Sequence, residues 1–179
     1  MGVEIEKKFT VKRLPADLEK YPFHEIEQGY LNVHPAIRVR RQDDIYYMTY
    51  KSSKASENTD NIGQTEYNMP LDQASYEHLA AKADGNVIRK TRYLIPINKD
   101  AYSADFIIAN PELNDMLLEG KIIIELDVFK APFEGRIVAE VEFPSEEAAK
   151  AYHPADWFDC DVTSDPKYRN SYMSTEVFE

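Results

Sequence analysis

The sequence of 179 residues predicts an α+β protein, a mostly antiparallel β-barrel with a polar interior and helices packed on its apolar outside. The first observation is that charges recur at every second residue in five segments, with one sign dominating each: Glu4-x-Glu6-x-Lys8, Arg38-x-Arg40, Lys90-x-Arg92, Glu125-x-Asp127 and Glu140-x-Glu142. Because side chains on a β-strand alternate between its two faces, each set projects from one face of one strand. The second observation is that the residues between these charges are mostly apolar. The third is that short stretches with helical spacing separate some of the strands.

Sorting of the charges by sign favours a closed or nearly closed barrel over an open sheet. On an open sheet the polar face meets water, and any one of these sets would be an ordinary solvated face. Solvated faces usually mix signs, because like charges side by side repel each other. So many charges cannot lie in a dry interior, because the free energy of removing them from water would exceed the favourable free energy of pairing them. We therefore expect a wet cavity that holds metal ions or an ionic ligand.

The strands follow from alternation along the chain. They are expected at residues 3–11, 37–41, 45–51, 65–69, 87–97, 121–129 and 136–143. Within residues 121–129, for example, Ile124 and Leu126 lie opposite Glu125 and Asp127. Residues 52–63 are polar and rich in Ser, Asn and Asp, so a mobile loop is expected there.

Four helices are expected in the gaps. Residues 71–83 have helical spacing, with Gly85 beyond them as a stop. Pro111 is suited to begin a short helix that runs to about residue 118. Ser145 is a good N-terminal cap for a helix that ends near residue 152. Residues 166–178 are expected to form a C-terminal helix.

Composition indicates one globular domain, residues 1–179, with 43% hydrophobic and 30% charged residues. The net charge of −11 argues against a general nucleic-acid-binding surface, which would be basic. A single cysteine, Cys160, excludes an internal disulfide and favours a reduced, cytoplasmic protein. No apolar run is long enough to span a membrane, and the first residues lack the apolar core of a signal peptide.

The charged residue types point to phosphoryl chemistry. Carboxylates without nearby Cys or His favour Mg²⁺ or Mn²⁺ over zinc, and the four histidines are scattered. Pairs of Arg and Lys suit phosphate oxygens. Acids for metal and bases for phosphate are the parts of a phosphoryl-transfer site. The sequence has neither a GxxxxGK[ST] phosphate loop nor a GxSxG nucleophile motif.

The charged motifs, taken in their order along the chain, resemble those of a known protein family. Glu4-Ile-Glu6-Lys-Lys8 is similar to the ExExK signature of the CYTH superfamily, the triphosphate tunnel metalloenzymes. The resemblance continues in order along almost the whole chain, through Gln28-Gly-Tyr-Leu31, Ile37-Arg-Val-Arg40, Thr49-Tyr-Lys51, Glu66, Ile88-Arg-Lys90-Thr-Arg92-Tyr93, Glu125-Leu-Asp127-Val-Phe129, Glu140-Val-Glu142-Phe143 and Asp161-Val-Thr-Ser-Asp165-Pro-Lys-Tyr168-Arg-Asn170-Ser171. ExExK alone is a weak pattern, whereas the ordered series is specific.

The resemblance implies an eight-stranded antiparallel tunnel that binds a linear triphosphate with a divalent cation, Mg²⁺ or Mn²⁺. It implies that the main metal is held by Glu4, Glu6 and Glu142. It implies a second metal, or a positioned water, at Glu66, Glu125, Asp127 and Glu140. The phosphates would be cradled by Lys8, Arg38, Arg40, Lys51, Lys90 and Arg92. The residues expected to act in catalysis are Lys8, Arg40, Lys51, Glu125 and Asp127. The stretch 165–171 resembles the start of a C-terminal helix that closes one tunnel end in bacterial members.

Two departures from the family pattern bear on these expectations. Gln64 and Asn68 stand near Glu66 where members often carry further carboxylates, which weakens the case for a second metal. Residues 98–120 are longer than the short hairpin expected there and include the apolar Phe106-Ile-Ile108. We expect a surface excursion, because loops tolerate insertions. The alternative is a lid or the contact of a homodimer.

The preferred function is metal-dependent hydrolysis of inorganic tripolyphosphate or a similar small triphosphate, as in the simple bacterial branch of the family. The first alternative is a class IV adenylate cyclase, which makes cyclic AMP and pyrophosphate from ATP with the same cations and metal. Thiamine triphosphate is a further substrate alternative. A polyphosphate-binding module without turnover is the alternative from another class. The expected partner in each case is a triphosphate-containing small molecule, with no nucleic acid and no membrane.

Overall fold

The computed structural model describes the backbone of residues 2–52 and 64–178 and the side chains of residues 5–51 and 66–178. The strands are β1 (Gly2–Val11), β2 (Phe23–Val33), β3 (Ala36–Gln42), β4 (Ile45–Ser52), β5 (Gln64–Leu71), β6 (Asp84–Pro96), β7 (Ile123–Phe129), β8 (Ile137–Phe143) and β9 (Phe158–Asp161). The α-helices are α1 (Gln73–Ala80), α2 (Ala104–Ala109), α3 (Pro111–Leu118), α4 (Glu146–Ala151) and α5 (Asn170–Ser174). The loop predicted at residues 52–63 lies, apart from its first residue, outside the described residues.

The strands form one antiparallel sheet in the order β5-β4-β3-β2-β6-β7-β8-β1-β9. Strand β1 also pairs with β5, where Gly2 lies opposite Glu66, and this pairing brings β1 to β8 into a ring. The short β9 pairs with a later part of β1, where Phe9 lies opposite Asp161. The predicted eight-stranded antiparallel barrel is confirmed, with a ninth strand added. Around the ring β3 lies opposite β8, four strands away in either direction.

The predicted strands are confirmed to within a few residues, but β2 and β9 were not predicted. Along β2 the inward-facing residues are Ile26, Gln28 and Tyr30, which mix apolar and polar types. Alternation of polarity therefore does not mark this strand. Strand β9 has only four residues, which is too short for a periodic pattern.

The main apolar core lies on the outer face of the barrel. Leu126 of β7 and Val141 of β8 are fully buried there, beneath Leu113 of α3 and Ala148 of α4. This confirms the prediction that helices cover an apolar outside. The excursion at residues 98–120 forms α2 and α3, which pack on this outer surface while Ile108 stays 77% exposed. A role of this excursion as a lid or dimer contact stays a prediction.

Two helices begin as predicted. Ser145 Oγ accepts a hydrogen bond from the Ala148 N–H at 3.1 Å and so caps α4. Pro111 is the first residue of α3. The prediction for α1 was too long, since Leu71 pairs with Tyr46 as the last residue of β5.

The predicted C-terminal helix 166–178 is wrong in its extent. A 3-10 turn at Pro166–Tyr168 is followed by Arg169, whose extended backbone (φ −88°, ψ 135°) interrupts the helix before α5. Met173 of α5 is fully buried in a second apolar cluster at one end of the barrel. This cluster consists of the inward-facing Ile88, Phe129 and Val138 together with Phe133 and Met173.

The C-terminal segment, residues 162–178, is fitted closely against β6. Asn86 Nδ2 donates to the carbonyl oxygens of Met173 at 3.1 Å and Glu176 at 2.6 Å. Gly85 has a φ of 69°, and a Cβ at this position would lie 2.0 Å from the carbonyl oxygen of Ser174. The described helices include none that is long and apolar enough to cross a membrane.

Candidate active site

Inward-facing polar side chains surround a cavity of about 140 Å³ inside the barrel. Its lining consists of Glu6, Lys8, Arg38, Arg40, Lys51, Glu66, Arg92, Glu125, Glu140, Glu142 and Asn170. All except Asn170 belong to the residues proposed from the sequence. Lys90 and Asp127, also proposed, lie beneath the lining and are fully buried. The side chain of Glu4 is outside the described part of the chain.

The lining has a basic wall and an acidic wall on opposite sides. We call Arg38 and Arg40 of β3 the basic wall. We call Glu140 and Glu142 of β8 the acidic wall. Because β3 and β8 lie opposite each other in the ring, the two walls face across the cavity. A polyanion on the basic wall would leave room for a cation between it and the acidic wall.

Arg92 is held in place by carboxylates. Its Nε and Nη2 donate to the two oxygens of Asp127, each at 2.7 Å, and Nη2 also donates to Glu140 at 2.7 Å. Its Nη1 donates to Glu125. Beneath it, Lys90 donates to Asp127, and burial with the nearby Arg92 lowers the pKa of Lys90 to about 8 although Asp127 opposes this. Asp127 therefore receives both cations and orients Arg92.

Lys8 is balanced by two carboxylates. Its Nζ donates to Glu140 at 2.5 Å and lies 3.2 Å from Glu6. Burial alone would lower the pKa of Lys8, but the charges of Glu140 and Glu6 outweigh it and raise that pKa above its ordinary value. Burial alone would likewise raise the pKa of Glu140, yet Lys8 and Arg92 hold it well below its usual range. Both side chains are therefore charged at neutral pH.

Arg40 differs from Arg92 because none of the carboxylates described by the structure forms a direct ion pair with it or accepts a hydrogen bond from it. Its Nε donates to Gln28 Oε1 at 2.9 Å and its Nη1 donates to the Tyr47 hydroxyl at 3.1 Å. Among the described side chains, none of the acids forms an ion pair with Arg40, which is only 8% exposed. Burial lowers the pKa of Arg40, and the neighbouring Arg38 lowers it further. A buried cation without an opposite charge is unfavourable until an anion arrives.

Glu66 lies among cations beside the basic wall. It is 3.8 Å from Arg38 Nη2 and 3.6 Å from Lys51 Nζ, and it accepts a hydrogen bond from Asn68 at 3.0 Å. Burial alone would raise the pKa of Glu66, but Arg38 and the Asn68 hydrogen bond lower it below its ordinary value. Asn68 donates to Glu66, and its Oδ1 accepts a hydrogen bond from the Thr49 hydroxyl at 2.6 Å. The Nε of Arg38 is buried and has no hydrogen-bond partner in the described part of the chain.

Two pairs of carboxylates stand side by side on neighbouring strands. Glu6 lies opposite Glu142, and Glu125 lies opposite Glu140. Like charges at directly opposite positions repel, so a cation between them is stabilising. Lys8 and Arg92 contact Glu140, and Lys8 also lies 3.2 Å from Glu6. As neighbouring carboxylates, Glu6 and Glu142 are hard oxygen ligands of the kind that a divalent cation prefers. The described residues contain no group of three or more His, Cys, Asp or Glu side chains close enough together to hold a metal ion.

Burial also affects Glu125. It raises the pKa of this carboxyl above its ordinary value, and the neighbouring Glu140 adds to the rise, although Arg92 opposes it. A carboxylate with a raised pKa is a stronger base than an ordinary one. Glu125 is therefore suited to accept a proton within the cavity.

Sequence reasoning missed three residues of the site. Gln28 and Tyr47 lie opposite Arg40 on the two strands that flank it, and both bind its guanidinium. Asn170 reaches the cavity from the C-terminal segment. Gln28 and Asn170 stood within the motifs that carried the family resemblance, but nothing in a single sequence shows that they turn toward Arg40 and the cavity.

Comparison with known proteins identifies relatives along the whole chain. No family model matches the sequence. The inorganic triphosphatase of Nitrosomonas europaea is 31% identical over 178 residues, which cover 97% of this chain and 98% of that protein. The inorganic triphosphatase of Acetivibrio thermocellus is 30% identical over 177 residues, with 97% and 94% covered. A crystal structure of an inorganic triphosphatase matches with a TM-score of 0.63 at 29% identity, covering 99% of this chain and 97% of the other.

The similarity is not confined to one part of the chain. The match to the Nitrosomonas europaea protein covers nearly the full length of both chains, including the strands that carry the cavity charges. The matching solved structure spans the same elements. The chain belongs to the inorganic triphosphatase family, within the CYTH superfamily of triphosphate tunnel metalloenzymes.

Proposed function

We propose that this protein hydrolyses a linear inorganic triphosphate inside the barrel with the help of a divalent cation. The observation that carries the proposal is Arg40, a buried cation that lacks a carboxylate partner among the described residues and faces an acidic wall. A triphosphate supplies the missing negative charge. The relatives named inorganic triphosphatase support the same substrate class.

The substrate would lie against the basic wall. Arg38 and Arg40 offer guanidinium groups, which match phosphate oxygens by paired hydrogen bonds, and Lys51 adds a point charge beside them. Lys8 and Arg92 reach the same cavity from the other side and stay protonated. Five cations thus converge on a site that can neutralise the charge of the substrate.

The acidic residues fit a hard divalent cation. Glu6 and Glu142 are direct neighbours on β1 and β8 and both reach the cavity. Glu4, two residues before Glu6 in the sequence, is a further candidate ligand. When bound, Mg²⁺ or Mn²⁺ would neutralise phosphate oxygens and polarise a water molecule. Metal binding by Glu66, Asp127 and Glu140 stays a prediction, as it does for Glu6 and Glu142. Cations of the protein contact the first three, and Lys8 also contacts Glu6.

The reaction adds water across a phosphoanhydride. The water oxygen bonds to the terminal phosphorus while the bond to the bridging oxygen breaks, and that oxygen keeps the electron pair on the diphosphate product. Glu125 accepts one proton of the water, since burial makes it a stronger base. Lys8 and Arg92 stabilise the charge that moves onto the bridging oxygen. Lys90 and Asp127 act through Arg92, which they orient.

Product analysis tests the proposal. Purified protein is incubated with tripolyphosphate or with ATP, each with Mg²⁺ or Mn²⁺, and Glu6→Gln protein serves as the control for a contaminating phosphatase. We expect equal amounts of orthophosphate and diphosphate from tripolyphosphate, and little use of ATP. Cyclic AMP from ATP would replace the proposal with a cyclase. Tight triphosphate binding without any product would replace it with a binding module.

A further inference from the structure

We infer that Asn170 positions the water that attacks the terminal phosphorus, by accepting a hydrogen bond from it at Oδ1. This inference rests on the proposed hydrolysis and adds a residue to it. Asn170 is the residue of the cavity lining that comes from the C-terminal segment and not from a barrel strand. It is also uncharged, whereas the other residues of the lining are acids and bases.

The C-terminal segment holds Asn170 in a defined place. On one side, Asp165 Oδ1 accepts a hydrogen bond from the Lys167 N–H at 3.0 Å and stabilises the turn before Asn170. On the other side, Met173 is fully buried, and Asn86 donates to its carbonyl oxygen. The close approach of Gly85 to the backbone of residue 174 leaves the segment no room to shift toward β6. The amide of Asn170 is therefore preorganised over the cavity.

Oδ1 of Asn170 is an acceptor that lacks a donor. The atom is buried, and no donor lies within hydrogen-bond distance in the described part of the chain. Buried polar atoms are nearly always paired in folded proteins, so an orphan on the lining of a site points to a ligand. Its partner must bring an N–H or O–H group into the cavity.

Water is the donor that fits. An ionised triphosphate has oxygens that accept hydrogen bonds and none that donate, so the substrate cannot satisfy Oδ1. Lys8 and Arg92 already donate to carboxylates, and Arg40 donates to Gln28 and Tyr47. A bound triphosphate would attract the cations of the lining more strongly than the amide of Asn170 does. Asn170 lines the same cavity as Arg38 and Arg40, so a water bound to its Oδ1 shares that cavity with the bound triphosphate.

Hydrogen bonds donated by its two O–H groups would orient such a water for nucleophilic attack. One O–H points to Asn170, and the other is left for the carboxylate of Glu125, which lines the same cavity. The lone pair can then face the terminal phosphorus. Asn170 itself takes no proton, so its effect is on the orientation of the water and hence on kcat, and not on substrate affinity.

The test uses three variants of the full chain. Asn170→Leu has similar size but no acceptor, whereas Asn170→Asp keeps the acceptor and adds a negative charge. Ser171→Ala, one residue along the same segment, is the control. Each is assayed for tripolyphosphate hydrolysis, for tripolyphosphate binding by calorimetry with EDTA in place of metal, and for Tm.

We expect the two Asn170 variants to separate kcat from KM. Asn170→Leu should lower kcat roughly 100-fold, because the water loses its orientation, while the Kd in EDTA changes less than about twofold and Tm does not fall. Asn170→Asp should keep kcat within about threefold and raise KM, because its charge repels the substrate. Ser171→Ala should behave as wild type.

Two results would overturn the inference. One is an Asn170→Leu protein with the kcat of wild type. The other is a loss of both kcat and Tm that Asn170→Asp does not restore, which would assign Asn170 to the stability of the segment. A wild-type protein that leaves tripolyphosphate intact would instead refute the proposed function, so the two failures are distinguishable.

Discussion

Replacing Arg40 with methionine tests whether the basic wall carries an unbalanced charge. Methionine keeps the length and apolar stem of the side chain and removes the cation. In the structure Arg40 makes two hydrogen bonds to neutral groups, the Gln28 amide and the Tyr47 hydroxyl. No carboxylate among the described residues loses a hydrogen bond or an ion pair when the guanidinium is removed, and Glu66, whose pKa Arg40 helps to lower, keeps Arg38 and Lys51 beside it. The substitution should therefore weaken substrate binding without weakening the fold.

The magnitude follows from these contacts. Hydrogen bonds to charged groups contribute about 1.5–3 kcal/mol each, so a lost guanidinium–phosphate contact costs about 3 kcal/mol and raises the Kd for tripolyphosphate roughly 100-fold. For the free protein, two hydrogen bonds donated by the charged guanidinium are lost, about 1.5–3 kcal/mol each, and the cost of a buried, unpaired charge, of the same size or larger, is relieved. The unfolding free energy should stay the same or rise by about 1 kcal/mol, a Tm increase of up to about 4 °C.

Arg92→Met is the matched control. It removes the same group from the same cavity, but Arg92 donates to three carboxylates, those of Glu125, Asp127 and Glu140. Breaking a buried ion pair by removing one partner costs about 3–5 kcal/mol, which lowers Tm by about 6–20 °C in a protein of this size. Both variants should bind tripolyphosphate weakly, but their Tm values should move in opposite directions or differ by several degrees.

The assays are thermal unfolding without metal or substrate and calorimetric titration with tripolyphosphate. A Tm of Arg40→Met as low as that of Arg92→Met would show that the charge of Arg40 is already balanced in the free protein. The argument for an anion site on β3 would then fail. An unchanged Kd would remove Arg40 from the substrate site even if Tm behaves as expected.

Three further predictions test the metal site, an acid-sensitive contact and the fit of the C-terminal segment. Glu6→Gln should raise the Mg²⁺ concentration for half-maximal hydrolysis roughly 10- to 100-fold, and an unchanged metal titration would exclude Glu6 as a ligand. Burial alone would raise the pKa of Glu27, but the hydrogen bond from Arg89 outweighs burial and lowers this pKa in the folded protein. Glu27 therefore stabilises the fold at a pH above its unfolded-state pKa. This contribution is lost as the pH falls through the lower folded-state pKa. The stability difference between wild type and Glu27→Gln should accordingly shrink between pH 6 and pH 3 in urea unfolding, and a constant difference would contradict this. Gly85→Ala should lower the unfolding free energy measured in urea by about 2–5 kcal/mol, because alanine disfavours the left-handed backbone and its Cβ overlaps the C-terminal segment. Gly120→Ala is the control: Gly120 has a similar φ but open space around it, so this variant should lose clearly less. Equal losses would refute the close fit.

Much of the fold was predictable because strand periodicity is a local property. Each charged set alternates with apolar residues, so the sequence alone assigns the faces of β1, β3, β6, β7 and β8. Strand β2 escaped prediction because its inward face carries Ile26, Gln28 and Tyr30 in turn, and neither face is purely apolar. The C-terminal helix was predicted too long, since the extended backbone of Arg169 serves the packing of Met173 and not a local preference.

The sequence by itself determined which residue types face the cavity and what class of ligand they suit. It could not decide which charges are balanced. Arg40 and Arg92 are the same residue in the same alternating pattern, and their difference lies on the neighbouring strands. Strands β2 and β4 present an amide and a hydroxyl to Arg40, whereas β7 and β8 present carboxylates to Arg92. These neighbours are distant in sequence and come together only when the ring closes. Tertiary structure alone therefore decides that Arg92 is paired with carboxylates and that Arg40 is available to an anion.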